Sequence, residues 1–447
     1  MPSQPRSEDR FYLPPDPGYT LADSAAASVR FVRERCLTRY RGHASATSTF
    51  VDVEGVPQLW HDFGPIEGVG WAANAAGGAY ELLRWAAFTQ DASLQAIAIS
   101  LIDHVLEAGF LVPETGFIRP YRHVGEDRFY LNYLHKPQFD VWFCPGATAR
   151  VACQLLLLSD HADTGRAARL REAAFRCGRW LLEHVKPLPN GWYPRRVTPE
   201  GRPYEANAHG RGQDPQFDHS GDGLFIVQLL LMLSERGLLD GRQEAAARLE
   251  AFMRRGGCFG SINHDTYDDH ENVAYAVAFR TLLQASKVLK SPELEAEAFR
   301  CLDGLTRFEM CEDRNGVATT GLLWMEASWN TAYLWENAEA ALAYLEAYAH
   351  RPREAYLSKG LTILRAIARH HYGPHGFLTE GVDWDNCVGA QHHIDGAQFG
   401  AIRYTEPFLN HLHFLEPTLL YFEQLAPRRD EPDRTLYLDP EGSIAAA

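Results

Sequence analysis

The stretch SGDGLFIVQLLLMLSERGLLDGRQEAAARLEAFMRRGG, residues 220–257, decides the fold. Its first half, Leu224–Leu233, is apolar on nearly every side. A helix apolar all round is buried all round. Its second half, 240–256, mixes Arg, Glu and Gln with Ala, Leu and Phe at helical spacing, so one face stays wet. A short link joins the two. The pair reads as a helical hairpin with one buried and one half-exposed member.

The same alternation runs outward in both directions. Val151–Leu158 is another all-apolar stretch, and 164–186 another charged, amphipathic one. Helical spacing predicts twelve helices, at 20–40, 69–89, 92–109, 143–160, 164–186, 221–236, 240–256, 270–289, 293–310, 328–349, 353–371 and 404–425. Almost no strand alternation is visible. The predicted inner members start near residues 68, 142, 220, 270, 329 and 404, a period of about 67 residues, and a fixed period marks a repeat architecture. The expected fold class is all-α, an (α/α)6 toroid or six-hairpin barrel with long loops on one rim. The expected organisation is an N-terminal extension over 1–19, one barrel over 20–426 and a tail over 427–447.

Links from inner to outer helices are short. The reverse links are long and rich in Gly, Pro and aromatics: 109–139, 190–219, 257–269, 311–327 and 373–403. Long loops in a compact chain are usually functional. Each precedes an inner helix, so all are expected on one face, where helix N-termini carry positive dipole ends.

Bulk properties narrow the function. The 447 residues carry a net charge of −15, which makes nucleic acid and anionic membranes poor partners. The longest apolar runs are too short to span a bilayer. Met1–Arg10 is polar, with no apolar stretch of the kind a secretion signal needs. The eight Cys form no CxxC pair and several sit in apolar helical stretches, which reads as reduced core thiols of a cytoplasmic protein. Aromatic content is 12%, enough to furnish stacking surfaces. A homo-oligomer is left open, and no cofactor or metal is expected.

The expected rim is loaded with chemistry. Trp60, His61, Asp62 and Glu67 precede the second helix; His135, Gln138, Asp140 and Trp142 the fourth. His209, Arg211, Asp214, Asp218, His219 and Asp222 precede the sixth, and His264 through Glu271 the eighth. Trp324, Glu326, Trp329 and Asn330 precede the tenth; Asp383, Trp384, Asp385, His392, His393, Arg403, Tyr404 and Glu406 the twelfth. Any single Asp before a helix is well explained as an N-cap. Caps do not need Trp and His beside them at every repeat. Carboxylates can cleave a glycosidic bond by acid and base, aromatic rings stack on sugar faces, and His or Arg fix hydroxyls and carboxylates.

This organisation resembles the six-hairpin glycosidase superfamily over about residues 20–425. Within it, unsaturated glucuronyl and rhamnogalacturonyl hydrolases carry one key Asp at the start of an inner helix and another in the next inner helix. Asp140, in Gln138-Phe139-Asp140-Val141-Trp142, and Asp222, in His219-Ser220-Gly221-Asp222-Gly223-Leu224, are similar to those two places. The family's surrounding motif residues are not reproduced, so Asp218 stays a rival for the second role; Asp140 is expected as the acid or acid/base, with Asp222 or Asp218 as its partner. The resemblance implies a glycoside hydrolase acting on an oligosaccharide.

Arg119, Arg122, Arg195, Arg196, Arg211 and Arg403 fall in the long loops, and a guanidinium grips a carboxylate in a fork. That fits a uronic-acid sugar; loop-ordering ion pairs explain each one taken singly about as well. Trp60, His61, Trp142, Arg211, His219, Trp329, His392, His393, Arg403 and Tyr404 are the expected substrate contacts. His392, His393 and Asp395, with His411 and His413 after them, are metal-ligand types, but hydrogen-bonding His in a sugar pocket is the preferred reading. No HExxH, GxSxG, P-loop or dinucleotide fingerprint occurs.

Two other functions compete. A polysaccharide lyase or sugar epimerase would use a His or Tyr base, with His219, His392, His393, Tyr404 and Arg403 as candidates. A non-catalytic carbohydrate-binding scaffold would have short, uniform loops, unlike these.

Overall fold

The computed structural model describes residues 10–59, 63–257, 260–264, 266–327, 329–371, 376–385, 387–388, 391–392, 400–425 and 432–434. Among them lie twelve α-helices: α1 (Leu21–Phe31), α2 (Ala75–Thr89), α3 (Ala92–Glu107), α4 (Pro145–Ser159), α5 (Thr164–His184), α6 (Gly223–Glu235), α7 (Arg242–Arg254), α8 (Asn272–Leu289), α9 (Pro292–Gly304), α10 (Leu334–His350), α11 (Glu354–His370) and α12 (Leu415–Leu420). No described helix is long and apolar enough to cross a membrane.

The chain forms two compact units. The first comprises Met1–Arg35, Val51–Val56 and Leu302–Ala447; the second comprises Cys36–Phe50 and Pro57–Cys301.

In the second unit α2, α4, α6 and α8 pack in succession, with α3 against α2, α5 against α4 and α7 against α6. Burial follows the sequence pattern. On α6 every residue from Leu224 to Leu233 is buried except Gln228. Each leucine removed from water there stabilises the fold by about 2 kcal/mol. On α5 only Ala167, Leu170, Ala174, Cys177, Gly178, Trp180 and Leu181 are buried, one stripe at three- and four-residue spacing. Side-chain caps occur on some outer helices, though not on α7 or α11. Outer helices α3 and α5 start on Asp91 and Asp163, whose side chains accept from backbone N–H groups in the first turn. Inner helices α2, α4, α6, α8 and α10 start on Asn74, Cys144, Asp222, Glu271 and Tyr333, none of which makes a side-chain cap.

In the first unit α10 packs on α11 and α12, and α1 packs on α11. A capping box between Thr20 and Asp23 opens α1.

Small sheets qualify the all-α expectation. They comprise β1 (Leu37–Tyr40), β2 (His43–Ala46), β3 (Val51–Asp52), β4 (Ile66–Gly68), β5 (Tyr121–His123), β6 (Arg128–Tyr130), β7 (Thr331–Tyr333), β8 (Gly381–Asp383), β9 (Cys387–Val388), β10 (Gln391–His392), β11 (Gly400–Ala401) and β12 (Tyr404–Thr405). All pairings are antiparallel: β1 with β2, β4–β5–β6, β11–β8–β7, β9 with β10 and β3 with β12. Strands of two to four residues are too short to show alternation.

Two predicted helices are corrected. The first, 20–40, ends at Phe31; a π-turn follows over Val32–Cys36 and then the β1–β2 hairpin. Arg41 and Gly42, with φ of 50° and 89°, make its tight turn. The last, 404–425, opens as strand β12, winds as π-helix over Pro407–Leu412, and is α-helical only over Leu415–Leu420. Pro407 and Pro417 each withhold a backbone donor from that segment.

Candidate active site

The second unit gathers its chemistry around Asp222. This residue holds the N-cap position of α6, yet its side chain caps nothing. It is 3% exposed. Ser220 Oγ donates to its Oδ1 at 2.9 Å, while Oδ2 has no hydrogen-bond partner among the described residues. Burial raises Asp222 to about 6, against the opposing pull of Arg195, Ser220 and Arg196. A carboxyl near that value is poised to deliver or take a proton close to neutrality.

Cys144 and His264 stand beside it. The Cys144 sulfur, an Asp222 carboxylate oxygen and a His264 ring nitrogen lie within 4.8 Å of one another, and all three residues are buried. Burial pushes the Cys144 thiol up to about 12, so it stays protonated.

His264 is held on several sides. Trp71, just ahead of α2, donates its indole N–H to His264 Nδ1 at 2.8 Å. The Tyr133 ring stacks at 6.4 Å and 27°. The His264 carbonyl accepts from Arg196. Burial, reinforced by Arg195, Arg196 and Arg150, holds the imidazole well below its ordinary range. The ring is therefore neutral.

Behind this cluster Asp214, fully buried, binds two guanidinium groups at once. Arg195 Nη1 lies 3.3 Å from its Oδ1, and Arg196 Nη1 donates to its Oδ2. Arg195 also donates to the carbonyls of Asn263 and Thr266, and Arg196 lies 4.9 Å over the Trp142 ring. Glu271, raised by burial, accepts from the Ile262 N–H, from Asn263 Nδ2 at 2.7 Å and from Thr266 Oγ1 at 3.1 Å. These bonds fix the segment before α8 against the segment before α6.

The triad offers a metal ion little. An indole N–H only donates, so it occupies the lone pair of His264 Nδ1, and the neutral ring carries its proton on Nε2. Neither nitrogen has a lone pair to give. Arg195 and Arg196 add positive charge nearby.

The other expected residues are placed as follows. Asp140 Oδ1 accepts from the Leu131 N–H at 2.8 Å, with Arg128 3.6 Å from Oδ2. Asp218 is half exposed, within 2.8 Å of His219 Nδ1 and 3.6 Å of Arg255. It lines a cavity of about 710 Å³ together with Asn190, Glu205, Asp214 and Phe217. His219 reaches Asp269 through Nε2 at 3.1 Å. Trp142 is fully buried, its indole N–H donated to the Ala208 carbonyl at 3.1 Å, so its faces are packed inside the unit. Arg211 is exposed and closes a turn with Asn207.

In the first unit Trp329 is half-buried, its ring 6.0 Å from Tyr333. Arg403 is exposed and Tyr404 buried. His411 is buried, with Ser28 at its Nδ1 and the Leu378 N–H on its Nε2, and burial lowers it to about 3. His413 lies 3.2 Å from Glu339. Trp60, His61 and His393 lie outside the described residues, as does the side chain of His392.

Several loop arginines have structural partners. Arg122 donates from Nε to Glu67 Oε1 at 2.6 Å, and the other oxygen of Glu67 lies 2.9 Å from His104 Nε2. Of the cysteines, Cys36, Cys144, Cys153, Cys177 and Cys301 are free and buried as expected, but Cys311 is exposed. Trp71 and Cys144 were absent from the expected site. Trp71 had a signal, since it precedes an inner helix as Trp142 and Trp329 do.

No protein-family model and no curated protein matches this sequence. Solved structures do share its fold. A D-mannose isomerase matches at a TM-score of 0.62 and 11% identity, over 91% of this chain and 97% of its own. A cellobiose 2-epimerase from Bacillus thermoamylovorans matches at 0.59 and 12%, over 90% and 99%. A possible member of the GH105 family from Salmonella enterica matches at 0.50 and 12%, over 94% and 96%. The fold is therefore that of the (α/α)6 barrels, as the repeat in the sequence implied.

Proposed function

We propose that this chain is a carbohydrate-active enzyme that cleaves a glycosidic bond, with Asp222 as the proton donor. One observation carries the reading: a buried carboxyl at the start of an inner helix, not used as a cap, held at about 6 with one oxygen unpartnered. Protonated, Asp222 delivers its proton to the leaving oxygen while a second carboxylate activates water or meets the anomeric carbon. Asp140 is the first candidate for that second role and Asp218 the other. Two arginines against the single carboxylate of Asp214 leave positive charge near the reacting groups, which suits a uronic-acid oligosaccharide. Arg211 and His219 are the candidate sugar contacts within the second unit.

A second reading, epimerase or isomerase, draws on the mannose isomerase and cellobiose 2-epimerase that share the fold. Those names describe those proteins. The state of His264 speaks against it as the base such a reaction needs: its proton already sits on Nε2 and its lone pair is engaged. The other bases for that reading are His219, whose two ring nitrogens face Asp218 and Asp269, and His392, His393 and Tyr404.

The test is a panel of saturated and unsaturated uronyl oligosaccharides, cellobiose and mannose, followed by ultraviolet absorbance, reducing ends and sugar composition. New reducing ends, lost in Asp222→Asn, support hydrolysis. Rising absorbance from β-elimination, or a new epimer without cleavage, overturns it.

A further inference from the structure

The loop residue Trp71 has no role in the reading above, yet it makes a directed bond into the middle of the site. Its indole N–H meets His264 Nδ1 at 2.8 Å, with the two rings edge-on at 5.5 Å and 79°. Trp71 precedes α2 and His264 precedes α8, so the bond joins segments 193 residues apart. Indole has no acceptor, so this contact has only one polarity. It fixes which imidazole nitrogen is bare.

We infer that Trp71 is a positioning residue that locks His264 in its Nε2–H tautomer, making it a neutral hydrogen-bond donor for a sugar oxygen beside Asp222. The inference rests on the hydrolase reading for its substrate but not for its geometry. Three features support it. Nε2 makes no hydrogen bond to a described residue, so its N–H is available to a ligand. The ring cannot rotate freely, being fixed at its edge by Trp71 and at its face by Tyr133. The imidazolium is opposed by three arginines and by burial, so neutrality is the resting state and the tautomer is the property left to set. Without the indole donor the proton is free to move to Nδ1. Nε2 then becomes an acceptor and repels the oxygen it should bind.

The charge of the ligand atom follows. A neutral donor suits a hydroxyl, ring or glycosidic oxygen, which would gain from it most as negative charge develops there. Loss of one such donor typically costs about 10²–10³-fold in kcat.

Nitrogen-15 NMR of the histidine-labelled full chain tests this without any substrate. His264 is assigned by the resonance lost in His264→Gln. The expected result is one neutral tautomer, protonated at Nε2, throughout the neutral range, and a mixture of tautomers in Trp71→Phe. A wild-type His264 that is charged, or protonated at Nδ1, overturns the inference even if Trp71→Phe fails to fold. With an active substrate, Trp71→Phe should lower kcat by at least about tenfold. His264→Gln, which keeps an N–H donor, should retain more activity than His264→Leu; equal losses in the two would also overturn it. If no sugar is processed, the hydrolase reading fails while the NMR result still decides the role of Trp71.

Discussion

Gly146, in the first turn of α4, lies directly against Asp222: a Cβ there would come within 2.8 Å of the Asp222 carboxyl carbon and closer still to its carbonyl oxygen. Two successive inner helices thus meet at the proposed proton donor, and only a residue without a side chain fits between them. Gly146→Ala should lower stability by about 1–3 kcal/mol through overpacking. It should also displace Asp222 and depress kcat more than KM. Steady-state kinetics with thermal melts checks both; a variant with wild-type kcat would show that the position of Asp222 does not matter to turnover.

The pH dependence of activity should report Asp222. Its raised value, about 6, means the acid form is lost as pH rises through that point. The kcat/KM profile should fall on the alkaline side with an apparent pKa near that value. Any activity left in Asp222→Asn should lack that limb.

Stability should respond to the same group with a definite sign. The folded carboxyl holds its proton more tightly than the unfolded one does, because burial opposes its charge. Its favourable contribution is therefore complete below the unfolded value near 4 and is lost as pH rises through about 6. The span is roughly 3 kcal/mol for a shift of about two units. Denaturant midpoints for Asp222→Asn and wild type should lie closest at low pH, with the variant gaining relative to wild type between pH 4 and 7.

The second carboxylate can be assigned by comparison. Asp218 is tied to His219, Arg255 and Asn190 at a half-exposed position, as a residue that orders its loop would be. Asp218→Asn should cost under about tenfold in kcat, whereas Asp140→Asn should cost about 10³-fold or more if it activates water. The reverse order would move the base to Asp218.

Chelation should leave turnover unchanged. Both nitrogens of His264 are already engaged, one by an indole proton and one by its own, so Cys144, Asp222 and His264 offer a metal no nitrogen ligand. Activity lost on dialysis against EDTA and restored by zinc would refute that account of the ring.

The legible parts of the fold were those where burial dictates composition. A helix surrounded by others, such as α6, has to be apolar all round, and Leu224–Leu233 announced it. The ends of the predicted array were less legible. Leu37–Tyr40 continues a helical spacing but pairs as a strand once Arg41 and Gly42 turn the chain. In the site, Asp222 was a candidate through its resemblance to the second key Asp of the six-hairpin hydrolases. Arg195 and Arg196 read equally as a grip on a substrate carboxylate or as loop-ordering ion pairs, and they close on Asp214; charge in a sequence does not show its partner. The Trp71–His264 bond was invisible for a related reason: no local pattern links residues so far apart.

The arginine pair on Asp214 also separates what can vary from what cannot. It rivets the carbonyls of Asn263, His264 and Thr266 to the stretch ahead of α6, so the groups proposed to react take their positions from buried bonds. Outside that rivet the chain turns back on itself from Ala206 to Gln213, held by a bridge between those two residues, by Asn207 and by the Trp142 indole on the Ala208 carbonyl. Evolution or an engineer could recharge the exposed tip of this turn, residues 209–213, and leave Asp222 and His264 where they are. Substrate choice and proton transfer would then be separately heritable traits of one scaffold.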